Sequence, residues 1–277
     1  MRIDAHQHYW KIERGDYRWI TPELPVLYRD FLPSDLESHL NAHNMEGTIV
    51  VQAAPTLEET EYLLTLAERS DSILGVVGWL DLFDASLRDH YERFRMHRKF
   101  VGFRIMIQDM PDASSLLAPH FMEVLSSYAN EDIPVDLLVL SHQLESLVKL
   151  LEEVPGLRGI INHIAKPRIA EGLMEPWLSH MKAISKHANI YYCKLSGMVT
   201  EADHQEWEQT HFTDYIRQVL ELYGPENVLF GSDWPVCLLA ASYDEVVDVL
   251  EKSLPESWSE YDRERLFGEN AKKFYKL

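Results

Sequence analysis

Positive charge is scarce in this chain. Its 277 residues carry 26 Lys and Arg against 45 Asp and Glu, a formal net charge of −19, and no basic cluster stands against that total. A surface of that sign repels phosphate backbones and anionic lipid, so no nucleic acid and no membrane surface is expected among its partners. Cysteine is nearly missing too. Cys193 and Cys237 are the only two, which makes no disulfide framework, and a reducing cytoplasm is the economical expectation. No apolar run approaches the length of a bilayer span, and residues 1–30 lack the charged-then-apolar layout of a secretory signal. Several chemical signatures are also absent. There is no G-x-G-x-x-G, no P-loop, no G-x-S-x-G elbow and no C-x-x-C. Ser196-Gly197 has no recognisable triad around it. Nucleophilic catalysis therefore has little support, and activation of a water molecule is the simpler chemistry.

What the chain does have is apolar residue, 46% of the total, enough for a sizeable core. Eight short apolar runs stand out, at 2–8, 47–52, 73–80, 100–107, 133–140, 157–163, 190–196 and 227–233. Their starts fall roughly 25 to 45 residues apart, about one strand-plus-helix unit each. Near-continuous Val, Ile and Leu mark strands covered on both faces, as parallel strands are. Helical patterns fill the gaps. Thr56-Leu57-Glu58-Glu59 reads as a capping box before Leu63, Leu64 and Ala67. Ser34-Asp35 precede Leu36 and Leu40. Stripes of aliphatic residues run along 143–154, 212–223 and 243–254, each stopped by Pro155, Pro225 or Pro255, and 262–275 reads as a final helix. Eight strands alternating with helices predict a (β/α)8 TIM barrel in the α/β class, one domain over residues 1–277. A doubly wound open sheet is the competitor, and it usually shows the glycine-rich loop missing here. Residues 9–32 make too long a connection after strand 1 for an ordinary loop. They predict a functional lid, whose aromatics Tyr9, Trp10, Tyr17 and Trp19 would wall an apolar-faced ligand such as a sugar ring.

Barrels of this kind carry their sites at the C-terminal strand ends. Strand 1 ends in Asp4-Ala5-His6-Gln7-His8. Alternate residues of a strand point the same way, which puts Asp4, His6 and His8 on one face. The other ends supply Gln52, Trp79 with Asp81, Arg104, His163, Lys194 with Ser196, and Asp233. Imidazoles and a carboxylate suit a divalent metal such as zinc. An isolated H-x-H more often bonds backbone groups, but Asp233 on the eighth strand meets strand 1 when a barrel closes. Asp233 reads as a base toward water, a ligand, or both in turn, and the bulky Asp233-Trp234-Pro235 is a poor simple turn. His163 alone is even between site and loop. Arg104 ends an apolar strand, where a surface salt bridge is the plain alternative to binding an anionic or carbonyl group. Lys166 and Lys194 are weaker, and either serves equally as half of a structural ion pair. Gln52 either donates to a ligand or closes its strand. His39, His43, His90, His97, His120 and His142 read as solvated helix or loop residues.

Taken in order, Asp4-Ala5-His6-Gln7-His8-Tyr9-Trp10, Val51-Gln52-Ala53-Ala54-Pro55, the 75–82 segment through Trp79 and Asp81, His163-Ile164-Ala165-Lys166-Pro167, Lys194-Leu195-Ser196-Gly197 and Gly231-Ser232-Asp233-Trp234-Pro235 resemble the amidohydrolase superfamily. Within it they resemble the sugar-lactonase group, that of the L-fuconolactonases and L-rhamnonolactonases. The similarity runs along nearly the whole chain. It implies a barrel that hydrolyses a small-molecule sugar lactone, the cyclic ester of an aldonic acid. His6, His8, His163 and Asp233 would form the core site, holding either one divalent metal ion (Zn) or none, since the metal need of this group varies. The wider superfamily often has a lysine at the end of strand 4 and a histidine on strand 5. Here Arg104 and the histidine-free 135–140 stand there, so no two-metal centre is implied. Asp233, His163 and Arg104 would carry the chemistry, while Gln52, Trp79, Lys166, Trp10 and Trp19 would hold the substrate. A metal-dependent decarboxylase or dicarboxylate-lactone hydrolase on the same scaffold is one alternative. A non-catalytic sugar-acid-binding barrel is another. Either a monomer or a homo-oligomer suits the sequence.

Overall fold

Val, Ile and Leu dominate the apolar runs, and in the computed structural model each run becomes a parallel strand. The structure describes residues 1–187 and 192–277. The strands are β1 (Arg2–Gln7), β2 (Met45–Val51), β3 (Ile73–Trp79), β4 (Phe100–Met106), β5 (Val135–Leu138), β6 (Gly159–Ile161), β7 (Tyr192–Leu195) and β8 (Val228–Phe230). The first two residues of the seventh predicted run, Ile190 and Tyr191, lie outside the described residues. The strands pair in chain order, all parallel. The ring closes by a short parallel bridge from Gln7 to Trp234, in which His8 N–H donates to Trp234 O (2.7 Å) and Asp233 N–H donates to His6 O (2.8 Å). This is the expected barrel rather than the open sheet, and the residues that close it are those singled out for chemistry.

Helices α1 (Pro33–Ala42), α2 (Leu57–Arg69), α3 (Leu87–Arg95), α4 (Pro119–Asn130), α5 (Leu144–Glu153), α6 (Trp177–Ser185), α7 (Gln209–Tyr223) and α8 (Tyr243–Ser253) follow the strands in turn. Their apolar stripes meet the outward faces of the strands, as Leu63, Phe121, Leu147 and Ile216 meet Val50, Val76, Phe103 and Val135 in one continuous core. Thr56 caps α2 by accepting from Glu59 N–H (3.1 Å). The Glu59 carboxylate does not return to the cap and turns instead to the β2–α2 loop.

The interior of the barrel is filled separately. Ile3, Ala5, Ile49, Val51, Val77, Ile160, Tyr192 and Leu229 point inward and pack on Ala271, Phe274 and Tyr275 of α10 (Asn270–Tyr275). That short helix follows α9 (Glu260–Glu264) and closes the N-terminal end of the barrel as a plug. Asn270 Nδ2 ties it to Pro225 O (2.7 Å) and Val228 O (2.8 Å). At Gly268 the chain passes so near the start of β1 that a Cβ would lie 1.9 Å from Met1 O.

Residues 9–32 are packed rather than loose. Trp10 and Phe31 exchange backbone hydrogen bonds of 3.0 Å, which ties the loop's ends together, and Tyr17, Ile20 and Leu27 are buried beneath it. No helix among the described residues is long and apolar enough to cross a membrane.

Candidate active site

Side chains alternate along β1 until one extra residue interrupts the pattern. Asp4 pairs with Thr48 and Gln7 with Val50, so three steps on β1 face two on β2, a β-bulge. Asp4 lies before the bulge and points outward. Its Oδ1 accepts from Ser232 N–H (2.9 Å) and His6 N–H (3.2 Å), and its Oδ2 from Ser232 Oγ (2.6 Å) and Tyr243 Oη (3.2 Å) on α8. Burial pushes its carboxyl up to about 6 against those bonds. The predicted shared face of Asp4, His6 and His8 is thus corrected. Ala5 and His6 both turn inward at the bulge, and His8 joins His6 while Asp4 braces the β1–β8 seam from outside.

Inside, three imidazoles converge on one carboxylate oxygen. Asp233 Oδ1 lies 3.2 Å from His8 Nε2 and 3.8 Å from each of His6 Nε2 and His163 Nε2. All four residues are buried. The backbone is bent to bring two of them there. Asp233 has φ of 57°, and His163, Ile164, Ala165 and Lys166 form a left-handed run with φ from 46° to 61°. Such conformations cost about 1–3 kcal/mol each for residues with a Cβ and persist where surroundings dictate them. Here Trp177 Nε1 donates to Ile164 O (2.7 Å), and Ser196 Oγ lies 2.9 Å from His163 Nδ1. Gly197 leaves room for the His163 ring, since a Cβ there would lie 2.4 Å from Nδ1.

These contacts set the protons. His8 Nδ1 bonds Val51 O (2.8 Å). A carbonyl only accepts, so Nδ1 carries a hydrogen, and Nε2 faces Asp233 Oδ1 across 3.2 Å, where a ring proton or a cation completes the contact. Burial, with Lys166, Arg104 and His8, pushes His163 down to about 3 despite Asp233. Burial and Lys194 also hold His6 well below the ordinary imidazole range. For Asp233, burial raises the carboxyl, but His163, His8 and Lys166 outweigh it and hold it below the usual carboxylate range. The centre at neutral pH is therefore an ionised carboxylate ringed by imidazoles.

The donor set fits a divalent ion. Ligand atoms of His6, His8 and Asp233 lie within 4.8 Å of one another, and the buried His6 Nε2 has no hydrogen-bond partner among the described residues. One contact modulates the fit. Lys194 Nζ approaches His6 Nδ1 (3.3 Å) while bound to Asp136 Oδ2 (2.6 Å). A lysine donating to Nδ1 leaves the neutral ring's proton on Nε2, so His6 would take a cation only with release of a proton.

Lys194 is thus half of an ion pair, one of its two predicted readings. Its partner Asp136 on β5 also accepts from Tyr275 Oη (2.7 Å) and Asn162 Nδ2 (2.8 Å). Sequence reasoning passed over Asp136, whose signal was a lone acid within the apolar Val135-Asp136-Leu137. Arg104 is buried inside the barrel, not on the surface. Its Nη2 donates to Gln52 O and to Gln52 Oε1 (3.1 Å), while Arg104 Nε and Gln52 Nε2 have no partners among the described residues. Glu59, also missed, accepts from Ala53 N–H (2.9 Å) and Ala54 N–H (2.7 Å), and burial pushes it up to about 8. Ala53 O in turn receives the Trp19 indole N–H (2.8 Å), which holds that 41% exposed ring over the end of β2. Trp79, beside Arg104 in the β3–β4 register, lines a cleft of about 250 Å³ with Pro55, Ile105, Met106 and Met110. Trp10 does not face this space. It is fully buried, its N–H donates to Arg29 O (2.8 Å), and its ring supports Trp19 edge-on at 5.6 Å. Lys166 stands at the rim, 3.6 Å from Glu201, a third acid that sequence reasoning missed.

The sequence profile of the family described as Amidohydrolase matches residues 3–277. The chain is 36% identical to an L-fucono-1,5-lactonase of Burkholderia ambifaria, covering 100% of this chain and 96% of that protein. It is 34% identical to an L-fucono-1,5-lactonase of Burkholderia multivorans, with the same coverage of 100% and 96%. A crystal structure of an amidohydrolase from Burkholderia multivorans with bound zinc superposes with a TM-score of 0.92 at 35% identity, covering 100% of this chain and 99% of that one.

Proposed function

The chain belongs to the amidohydrolase family, and from that premise we propose that it hydrolyses a sugar-derived aldonolactone, L-fucono- or L-rhamnono-lactone-like, to the aldonic acid. The observation that carries this reading is the convergence of His6, His8 and His163 on the ionised Asp233, beside buried donors with no partner of their own. The L-fucono-1,5-lactonase relatives support the substrate class.

The chemistry follows from the proton inventory. Asp233, ionised at neutral pH, takes a proton from a water molecule as its oxygen attacks the ester carbonyl. General-base assistance of this kind contributes typically ~10²–10⁴-fold. Negative charge then grows on the former carbonyl oxygen. His6 Nε2, Arg104 Nε and Gln52 Nε2 are the unpaired donors on the inner wall to receive it. Collapse of the tetrahedral intermediate breaks the bond to the ring oxygen, and the proton held by Asp233 passes to that oxygen as a hydroxyl. A divalent ion held by His6, His8, His163 and Asp233 would supply Lewis-acid polarisation of the carbonyl.

A neutral polyhydroxylated substrate suits the rim better than a dicarboxylate. Lys166 is offset by Glu201, which leaves Arg104 as the one buried guanidinium beside the core site. Stacking on the apolar face of a sugar ring falls to Trp19 and Trp79. We read residues 1–277 as one catalytic domain.

The deciding experiment is a pH-indicator screen of aldonolactones, run with and without chelator alongside metal analysis. Acid release from a 1,5-lactone of a 6-deoxyhexonic acid is the expected result. No turnover of any aldonolactone, with or without added zinc, would overturn the reading.

A further inference from the structure

Glu201 ends a short turn (Val199–Glu201) that follows β7. This turn is held against the core site, because Gly197 abuts the His163 ring and Thr200 Oγ1 bonds back to Gly197 O (3.0 Å). Lys166 ends the left-handed run that begins at His163. The two side chains meet at 3.6 Å, with 23% and 24% of their surface exposed. That separation is an ion pair but too long for a hydrogen bond. Neither the Glu201 carboxylate nor the Lys166 ammonium has another hydrogen-bond partner among the described residues. The carboxylate keeps 23% of its surface open to water, so a ligand hydroxyl would take the place of that water as its donor. Both groups lie within electrostatic reach of the centre, since Lys166 lowers His163 and Asp233 and Asp233 acts on Glu201. Across the barrel, at the ends of β3 and β4, lies the cleft beside Trp79 and Met106, which also carries Asp81 and Asp109.

We propose that Glu201, with Lys166, reads the hydroxyl groups of the substrate: the carboxylate accepts an O–H from one hydroxyl and the ammonium donates to its neighbour, making Glu201 a specificity-determining residue. The inference deepens the lactonase reading and rests on it. A neutral vicinal diol supplies both a donor for Glu201 and an acceptor for Lys166. A second carboxylate on the ligand would face Glu201 and be repelled. A site built to bond a hydroxyl rejects analogues without it far more strongly than a merely apolar pocket does.

The test compares kcat/KM for an aldono-1,5-lactone with that for δ-valerolactone, the same ring without hydroxyls. Wild type, Glu201→Ala, Glu201→Gln and Lys166→Met are measured. Glu201→Ala is expected to lower the ratio of the two constants by ~100-fold or more, mainly through KM for the hydroxylated substrate. Glu201→Gln, which keeps an acceptor oxygen, should recover part of it. A ratio within threefold of wild type overturns the proposal, as does an equal loss on both lactones, the mark of a merely structural pair. If wild type hydrolyses neither lactone, the lactonase reading fails by itself. The hydroxyl-reading role is then judged by calorimetric binding of the aldonic acid against 5-hydroxypentanoate. Loss of that preference in Glu201→Ala upholds the role, and a preference unchanged or absent in wild type overturns it.

Discussion

The two ends of the barrel are built from the same eight strands and obey opposite rules. At the N-terminal end the inward residues are aliphatic, and α10 drives Phe274 and Tyr275 between them. Even the backbone carbonyls of that helix are used, with Arg158 donating to Phe274 O (2.9 Å) and Lys273 O (2.5 Å). At the C-terminal end the inward residues are imidazole, carboxylate and guanidinium. Several buried donors lack partners, a bulge breaks the alternation of β1, and five residues with a Cβ hold positive φ. One end is filled by apolar packing, although Asn44, Asp132 and Lys276 hold positive φ there and the buried Arg2 Nε has no partner among the described residues. The other gathers unspent polar atoms and strained backbone around one centre, which a protein tolerates where a ligand completes the bonding. Between them lies a polar joint, where Asp136 accepts from Tyr275 of the plug and pairs with Lys194, which reaches His6.

The sharpest way to break this contrast is at the mouth. Asp233→Asn should lower turnover by ~10²–10⁴-fold while the circular dichroism melt stays close to wild type. A near-normal rate would remove Asp233 from the chemistry. At the floor, Phe274→Ala should cost about 3–5 kcal/mol of stability in urea titration, the usual range for a buried phenylalanine, with KM of the folded enzyme little changed. A mutant that kept its stability and lost its affinity would reverse the division of labour. The joint should register at both ends. Lys194→Met leaves Asp136 buried without its cation, a loss of about 3–5 kcal/mol, and combining it with Asp136→Leu should restore part of that stability in a double-mutant cycle.

A smaller, graded effect comes from pH. His163 is held down to about 3 in the folded protein, from 6.5 in its absence. Between those values the unfolded chain binds a proton that the native chain refuses, so stability falls as pH drops from 6.5 toward 3. The melting temperature of His163→Asn should fall less steeply over that window, and equal slopes would show that His163 is not kept neutral. The smallest effect expected is Thr56→Ala, which removes the α2 cap far from the floor at about 1 kcal/mol.

Much of this was legible without coordinates. The eight strands followed from apolar runs at one-unit spacing, and His6, His8, Arg104, His163 and Asp233 all stand where strand ends were expected to place them. Elsewhere local pattern misled. Alternation predicts Asp4 beside His6, but an extra residue in the pairing with β2 separates them, and a bulge depends on the partner strand. Trp10 and Trp19 read alike as loop aromatics. One is core and the other rim, because the loop's ends join at Trp10 and Phe31. Asp136 and Glu201 carried no motif, and their partners lie far off in sequence at Lys194 and Lys166, while Glu59 read as half of a capping box and turns instead to Ala53 and Ala54 N–H.

The sequence by itself determined the number and order of the strands, the closure of β1 on β8, and the identity of the side chains at the mouth. These depend on hydrophobic periodicity and residue chemistry, which are local. Only the tertiary structure decided which way those side chains aim, which nitrogens carry protons and which acids are paired. Those depend on register, backbone strain and long-range electrostatics, which exist only once the ring has closed.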